Sequence, residues 1–108
     1  MTALINIDEA LLRLGGNEQI FKTLLNKFAS SPYYEELCAN MEHNNLTEAK
    51  LNAHTIKGTA GNLGLNLLFE TASALDNALK QGDDAWPLFD DFQTVYENTM
   101  AEIKSYIS

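Results

Sequence analysis

Apolar residues recur at intervals of three and four along nearly the whole chain, and no stretch alternates apolar and polar positions with the period of two that marks a strand. The pattern predicts an all-α protein with helices over 8–14, 17–30, 32–44, 46–64, 67–81 and 85–107. The pair Gly15-Gly16 ends the first helix, and Asn17 caps the second, whose stripe is Ile20, Leu24, Leu25 and Phe28. Ser30-Ser31-Pro32 is a break and a restart, with serine suited to the cap and proline to the first turn. Asn45 with Glu48 three residues on has the form of a capping box opening the fourth helix. Asn66 opens the fifth, through Leu67, Leu68, Ala72, Leu75 and Leu79, and Gly82 stops it. Asp83-Asp84 caps the sixth, which carries Trp86, Phe89, Phe92, Tyr96, Met100 and Ile103 and tolerates Pro87 in its first turn. Connections this short favour antiparallel neighbours. The expected fold is an up-and-down antiparallel four-helix bundle made by the last four helices, with the two N-terminal helices covering one side or end.

The fourth helix holds the residue of most chemical interest. Leu46, Ala49, Ala53, Ile56, Ala60 and Leu63 are spaced 3, 4, 3, 4 and 3, the seam of a bundle helix. At about 100° per residue, His54 falls roughly 130° from the centre of that stripe, which turns its ring to solvent near mid-helix. Lys50, Leu51, Lys57, Gly58 and Gly61 lie within about 60° of it on the wheel. Two lysines about one turn either side attract an anion to the imidazole, and phosphate is the obvious one. Gly58, Gly61 and Gly64 each cost a helix roughly 1 kcal/mol relative to alanine, so something must offset them. Gly58 and Gly61, on the histidine's own face, leave room for another protein to approach; Gly64, nearer the core edge, suits close packing or a helix end. A neutral imidazole is nucleophilic near pH 7 and releases a phosphoryl group readily, which serine does not.

Composition narrows the choice. With 108 residues the chain is expected to form one domain. Seven basic residues against fifteen acidic give a net charge of -8, which repels nucleic acid and anionic membranes and leaves proteins as the default partners. In such a chain the lysines beside His54 are a local reversal of sign. Cys38 is the single cysteine, so no internal disulfide forms, and two histidines provide no zinc-ligand spacing. No apolar run is long enough to span a membrane, and Met1 is followed by Thr-Ala-Leu-Ile-Asn rather than a basic stretch and an apolar signal core. A cytoplasmic protein, with Cys38 packed as a small hydrophobe, is expected.

The run Ala53-His54-Thr55-Ile56-Lys57-Gly58-Thr59-Ala60-Gly61-Asn62-Leu63-Gly64 resembles the signature of histidine-containing phosphotransfer (HPt) domains. That pattern asks for His, Lys three on, Gly four on, a small residue six on and Gly ten on, and all are present. The segment from Ile7 to Asn17 is also similar to the usual opening of these domains. The resemblance implies that His54 receives phosphate from the aspartate of one receiver domain and passes it to the aspartate of another. It further implies that Lys57 steadies the phosphoryl group and that Gly58 clears a docking surface, to which Gly61, Lys50 and Leu51 are assigned. The partners implied are response-regulator receiver domains and a hybrid sensor histidine kinase. The receiver would bring Mg²⁺, and the chain, expected to be a monomer, would need no cofactor or metal of its own. A carboxylate cluster is not expected beside His54.

An autonomous enzyme and a helical adaptor without chemistry are the competing readings. The first lacks any Gly-rich phosphate loop or recognisable ATP site. The second does not account for the spacing around His54. His43, near the end of the third helix, is too far along the bundle to share a metal with His54, and a role beside the local helix dipole suffices for it. The pairs Asp83-Asp84 and Asp90-Asp91 read as capping and solvated-face residues.

Overall fold

The computed structural model describes residues 4–108. The opening Met1-Thr2-Ala3, part of the segment read as lacking a signal core, lies outside the described residues. Six helices form: α1 (Ile7–Arg13), α2 (Glu18–Ala29), α3 (Tyr33–Glu42), α4 (Leu46–Asn62), α5 (Asn66–Gln81) and α6 (Trp86–Ile107). There is no strand among the described residues, and the fold is an all-α bundle. No described helix is long and apolar enough to cross a membrane.

α4 packs against both α3 and α5, α5 against α6, α2 against α6, and α1 against α2. Its buried face consists of Ala49, Ala53, Ile56 and Ala60, so three of the four side chains facing its neighbours are single methyl groups. Aromatic rings join α2, α3 and α6: Tyr34 stacks on Tyr96 with centroids 3.8 Å apart, and Phe28 meets the same Tyr96 ring edge-on at 6.1 Å. Burial pushes both phenols, Tyr34 and Tyr96, up to about 12. Cys38 is half-buried beside them, 3.7 Å from the Gln93 amide nitrogen, and burial raises its thiol away from the reactive thiolate.

Several helix ends differ from the expected ones, for local reasons. α3 stops at Glu42 rather than at 44, because Asn44 adopts φ 59° and the Asn45 N–H donates back to the Asn40 carbonyl. That is a Schellman ending with asparagine in the left-handed position. α4 stops at Asn62 in the same way: Gly64 has φ 71° and the Leu65 N–H donates to the Ala60 carbonyl. Asn45 makes no capping bond, so the expected box with Glu48 does not form. Ser31 does not cap α3 either; its hydroxyl donates to the Phe28 carbonyl at the end of α2. Asn17 does cap α2, accepting from the Ile20 N–H, and Asn6 does the same for α1 through the Glu9 N–H. Asp84 accepts from the Trp86 N–H although Ala85 holds the cap position.

The stripe of α2 is Phe21, Leu25 and Phe28, with Ile20 exposed. It is rotated from the expected one because Phe21 packs on Tyr106 of α6, with centroids 5.7 Å apart. Leu46 and Trp86, each the first residue of its helix, are exposed rather than in the seam.

Both ends of α1 are fastened to the C-terminal end of α4. The Asn6 N–H donates to the Gly64 carbonyl at 2.7 Å, and Arg13 donates to the Gly61 carbonyl at 2.6 Å while pairing with Glu9. A guanidinium is a suitable partner for the unpaired carbonyls of a helix end. The contact at Gly64 is tight enough that a Cβ there would lie 2.6 Å from the Asn6 carbonyl oxygen. Gly64→Ala is therefore expected to lower unfolding free energy by at least about 2 kcal/mol, combining left-handed strain with the clash, as read by urea denaturation.

The tyrosines set an alkaline limit. The native state favours the neutral phenols of Tyr34 and Tyr96, so their contribution is complete below about pH 10, the unfolded value. It is lost as the pH rises towards about 12. Urea midpoints are expected to fall across that window, and Tyr96→Phe to make the fall shallower.

Candidate functional site

The connection between α4 and α5 is three residues, Leu63–Leu65, and it sets the register of the two helices. Gly61 and Phe69 each lie four residues from Leu65, His54 and Asp76 eleven, and Lys50 and Lys80 fifteen. The first two pairs are in contact, so the helices run antiparallel with residues equidistant from Leu65 facing one another. A Cβ at Gly61 would stand 3.2 Å from the Phe69 ring. The missing side chain of Gly61 thus seats Phe69 of α5 rather than lying on an open surface. Gly58, by contrast, has nothing within 4 Å of where a Cβ would sit, and it is exposed.

His54 points outward from the middle of α4, its side chain 69% exposed. Ala53 and Ile56, its neighbours on the seam, are fully buried. Across the groove to α5, the Nδ1 atom of His54 lies 3.2 Å from Oδ2 of Asp76, whose side chain is only 14% exposed. A carboxylate can only accept, so in the neutral ring Nδ1 carries the hydrogen and Nε2 keeps its lone pair. Lys50, Leu51, His54 and Lys57 of α4 enclose, with Asp76, Asn77 and Lys80 of α5, a shallow recess of about 210 Å³. Three lysines there surround one carboxylate, so the recess is net basic in a chain of net charge -8.

The structure therefore brings Lys50, Leu51, His54 and Lys57 together, leaves Gly58 open beside them, and puts Gly61 to packing. One carboxylate, Asp76, stands against the His54 ring. Asp76, Asn77 and Lys80 were not singled out as site residues. Their signal was the mirror register about Leu65, since Asp76 and Lys80 stand opposite His54 and Lys50. Among the described residues no group of three His, Cys, Asp or Glu side chains is placed to hold a metal ion. His43 is held locally, its Nδ1–H donating to the Ala39 carbonyl 2.9 Å away.

A second, more apolar groove of about 570 Å³ runs between the end of α2, the start of α3 and the end of α4. Leu24, Lys27, Phe28, Pro32 and Tyr33 line it on one side, and Thr59, Asn62 and Leu63 on the other. His54, Gly58 and Asn62 form a row at one-turn spacing that leads from the imidazole to its edge.

The bundle thus holds the His54 imidazole in solvent, hydrogen-bonded at one nitrogen and set among lysines. The family model described as Hpt domain matches residues 27–106, and the chain belongs to that family. No curated protein and no solved structure gave a significant match. The matched region begins inside α2, so the Ile7 to Asn17 opening lies before it. Membership identifies the chain's activity as histidine phosphotransfer in two-component phosphorelays, as a phosphocarrier rather than a kinase that works with response-regulator receivers and histidine kinases.

Proposed function

We propose that the chain is a phosphorelay intermediate in which His54 accepts a phosphoryl group from the aspartate of one receiver domain and passes it to the aspartate of another. The observation that carries this reading is the outward imidazole of His54, 69% exposed at mid-helix with Nε2 unpartnered among the described residues. Lys57, with Lys50, stabilises the charge of the phosphoryl group in flight. Gly58 and Leu51 belong to the docking face, which continues along the row to Asn62 and onto the apolar groove. Gly61 serves that face indirectly, by letting α5 seat closely against α4. Mg²⁺ and the acceptor carboxylate are the receiver's, and the chain contributes the nucleophile alone.

In this reading the whole chain is one cytoplasmic domain, monomeric and without affinity for nucleic acid. The last four helices are its up-and-down bundle, and α1 and α2 cover it. The hybrid sensor kinase supplies the phosphoryl group through its own receiver.

Incubation with a phosphorylated receiver is expected to label the protein through an acid-labile, alkali-stable bond, and His54→Gln to abolish that label. Undiminished labelling of the variant would overturn the assignment. Gly58→Gln tests the docking face separately. The open surroundings of Gly58 accept a side chain, so the variant is expected to fold at least as stably as the parent, since glycine costs a helix about 1 kcal/mol. Its transfer should nonetheless slow by about tenfold or more, as expected for a side chain intruding on a docking surface; wild-type kinetics would remove Gly58 from that surface.

A further inference from the structure

We propose that Phe69 of α5 is a specificity-determining residue of the transfer: its exposed ring is an apolar anchor that a docked receiver domain covers with an apolar side chain of its own. This rests on His54 being the carrier, the point on which a receiver must centre. Gly61 follows His54 by seven residues on α4, and Phe69 precedes Asp76 by seven on α5, so each lies two turns along the same face of its helix. The ring seated on Gly61 therefore stands about 10 Å from the imidazole. A stable protein interface covers about 800 Å² of each partner, a patch about 16 Å in radius. A receiver centred on His54 with such an interface reaches Phe69.

Phe69 stays 37% exposed while its α5 neighbours Leu68 and Ala72 are fully buried, so apolar surface remains for a partner to cover. The ring is nonetheless held in place, because the missing side chain of Gly61 leaves it a seat where a Cβ would stand only 3.2 Å away. A side chain fixed in advance loses little freedom on binding, and more of the burial appears as affinity. The α5 row continues from Phe69 through Ser73, Asp76 and Lys80, all polar. The apolar groove lined by Leu24, Phe28 and Tyr33 lies on the other flank of α4. A receiver is thus gripped on two flanks, with the basic recess of His54 between them. Selection follows from what the ring rejects. A receiver with an apolar side chain opposite Phe69 gains by burying both; one with a carboxylate there must strip water from a charge that finds no partner. No bond of the phosphoryl transfer involves Phe69, so its contribution lies in receiver binding rather than in the rate of the bound complex.

The test uses the full chain and the receiver domains of the source organism, titrated one at a time. Aromatic ¹H–¹³C NMR of the wild type reads the Phe69 ring directly, with Tyr106 of α6, packed on Phe21, as the reference. Phe69 signals are expected to shift as a receiver binds, and those of Tyr106 to stay. In transfer assays Phe69→Ala should raise the receiver concentration for half-maximal rate by about tenfold or more, as loss of an aromatic anchor does, with the rate at saturation unchanged. Phe69→Leu, apolar without the ring, should stay close to wild type. Ring signals unmoved by a bound receiver, an unchanged half-saturating concentration in Phe69→Ala, or a Phe69→Leu variant as impaired as Phe69→Ala would overturn the role of Phe69 while leaving the carrier reading intact. A wild type that binds receivers yet takes no label strikes the carrier reading instead, and the ring titration, which needs neither label nor variant, still decides whether a receiver covers Phe69.

Discussion

The structure depends on α4 burying a face that is almost entirely alanine. Ala49, Ala53 and Ala60 are fully buried between α3 and α5. Small side chains let helices approach closely, and the energy of the contact comes from the larger residues buried on the neighbouring helices, Leu37 and Met41 of α3 and Leu68 and Leu75 of α5. With its buried face confined to one narrow seam, the helix leaves His54 turned outward. The exposure of the imidazole follows from the packing of the opposite face.

Closeness of α4 to α5 also creates the chemistry at the ring. The contact of Gly61 with Phe69 and that of His54 with Asp76 are two rungs of one antiparallel register fixed by the short turn at Leu63–Leu65. A bulkier residue at Gly61 would press on the Phe69 ring and disturb the spacing that carries Asp76. Packing and the orientation of the His54 ring are thus set by the same interface.

Much of this was legible in the sequence because it depends on periodicity. The seam of α4, the outward histidine and the flanking lysines all follow from counting positions on one helix. Contacts between helices are another matter. Ile20 and Phe21 are adjacent apolar residues, and only the Tyr106 ring on α6 decides that Phe21 turns inward. Asn45 and Glu48 had the right spacing for a capping box, yet the Schellman ending of α3 at Asn44 governs that turn. Asp76 is separated from His54 by twenty-two residues, and its contact with the ring appears only when the α4–α5 register is known. Helix-internal features are read from a repeat, whereas inter-helix ones require knowing which faces meet.

The clasp of α1 on the end of α4 bears on molecular recognition. Asn6 and Arg13 tie down the carbonyls of Gly64 and Gly61, within three turns of His54 and beside the row that leads to the apolar groove. A helix end left free would fray, and a partner binding there would have to arrest that motion at an entropic cost. Fastened in advance, the surface meets its partners already ordered. For a phosphocarrier, such preorganisation gives recognition without requiring a large, slowly dissociating interface.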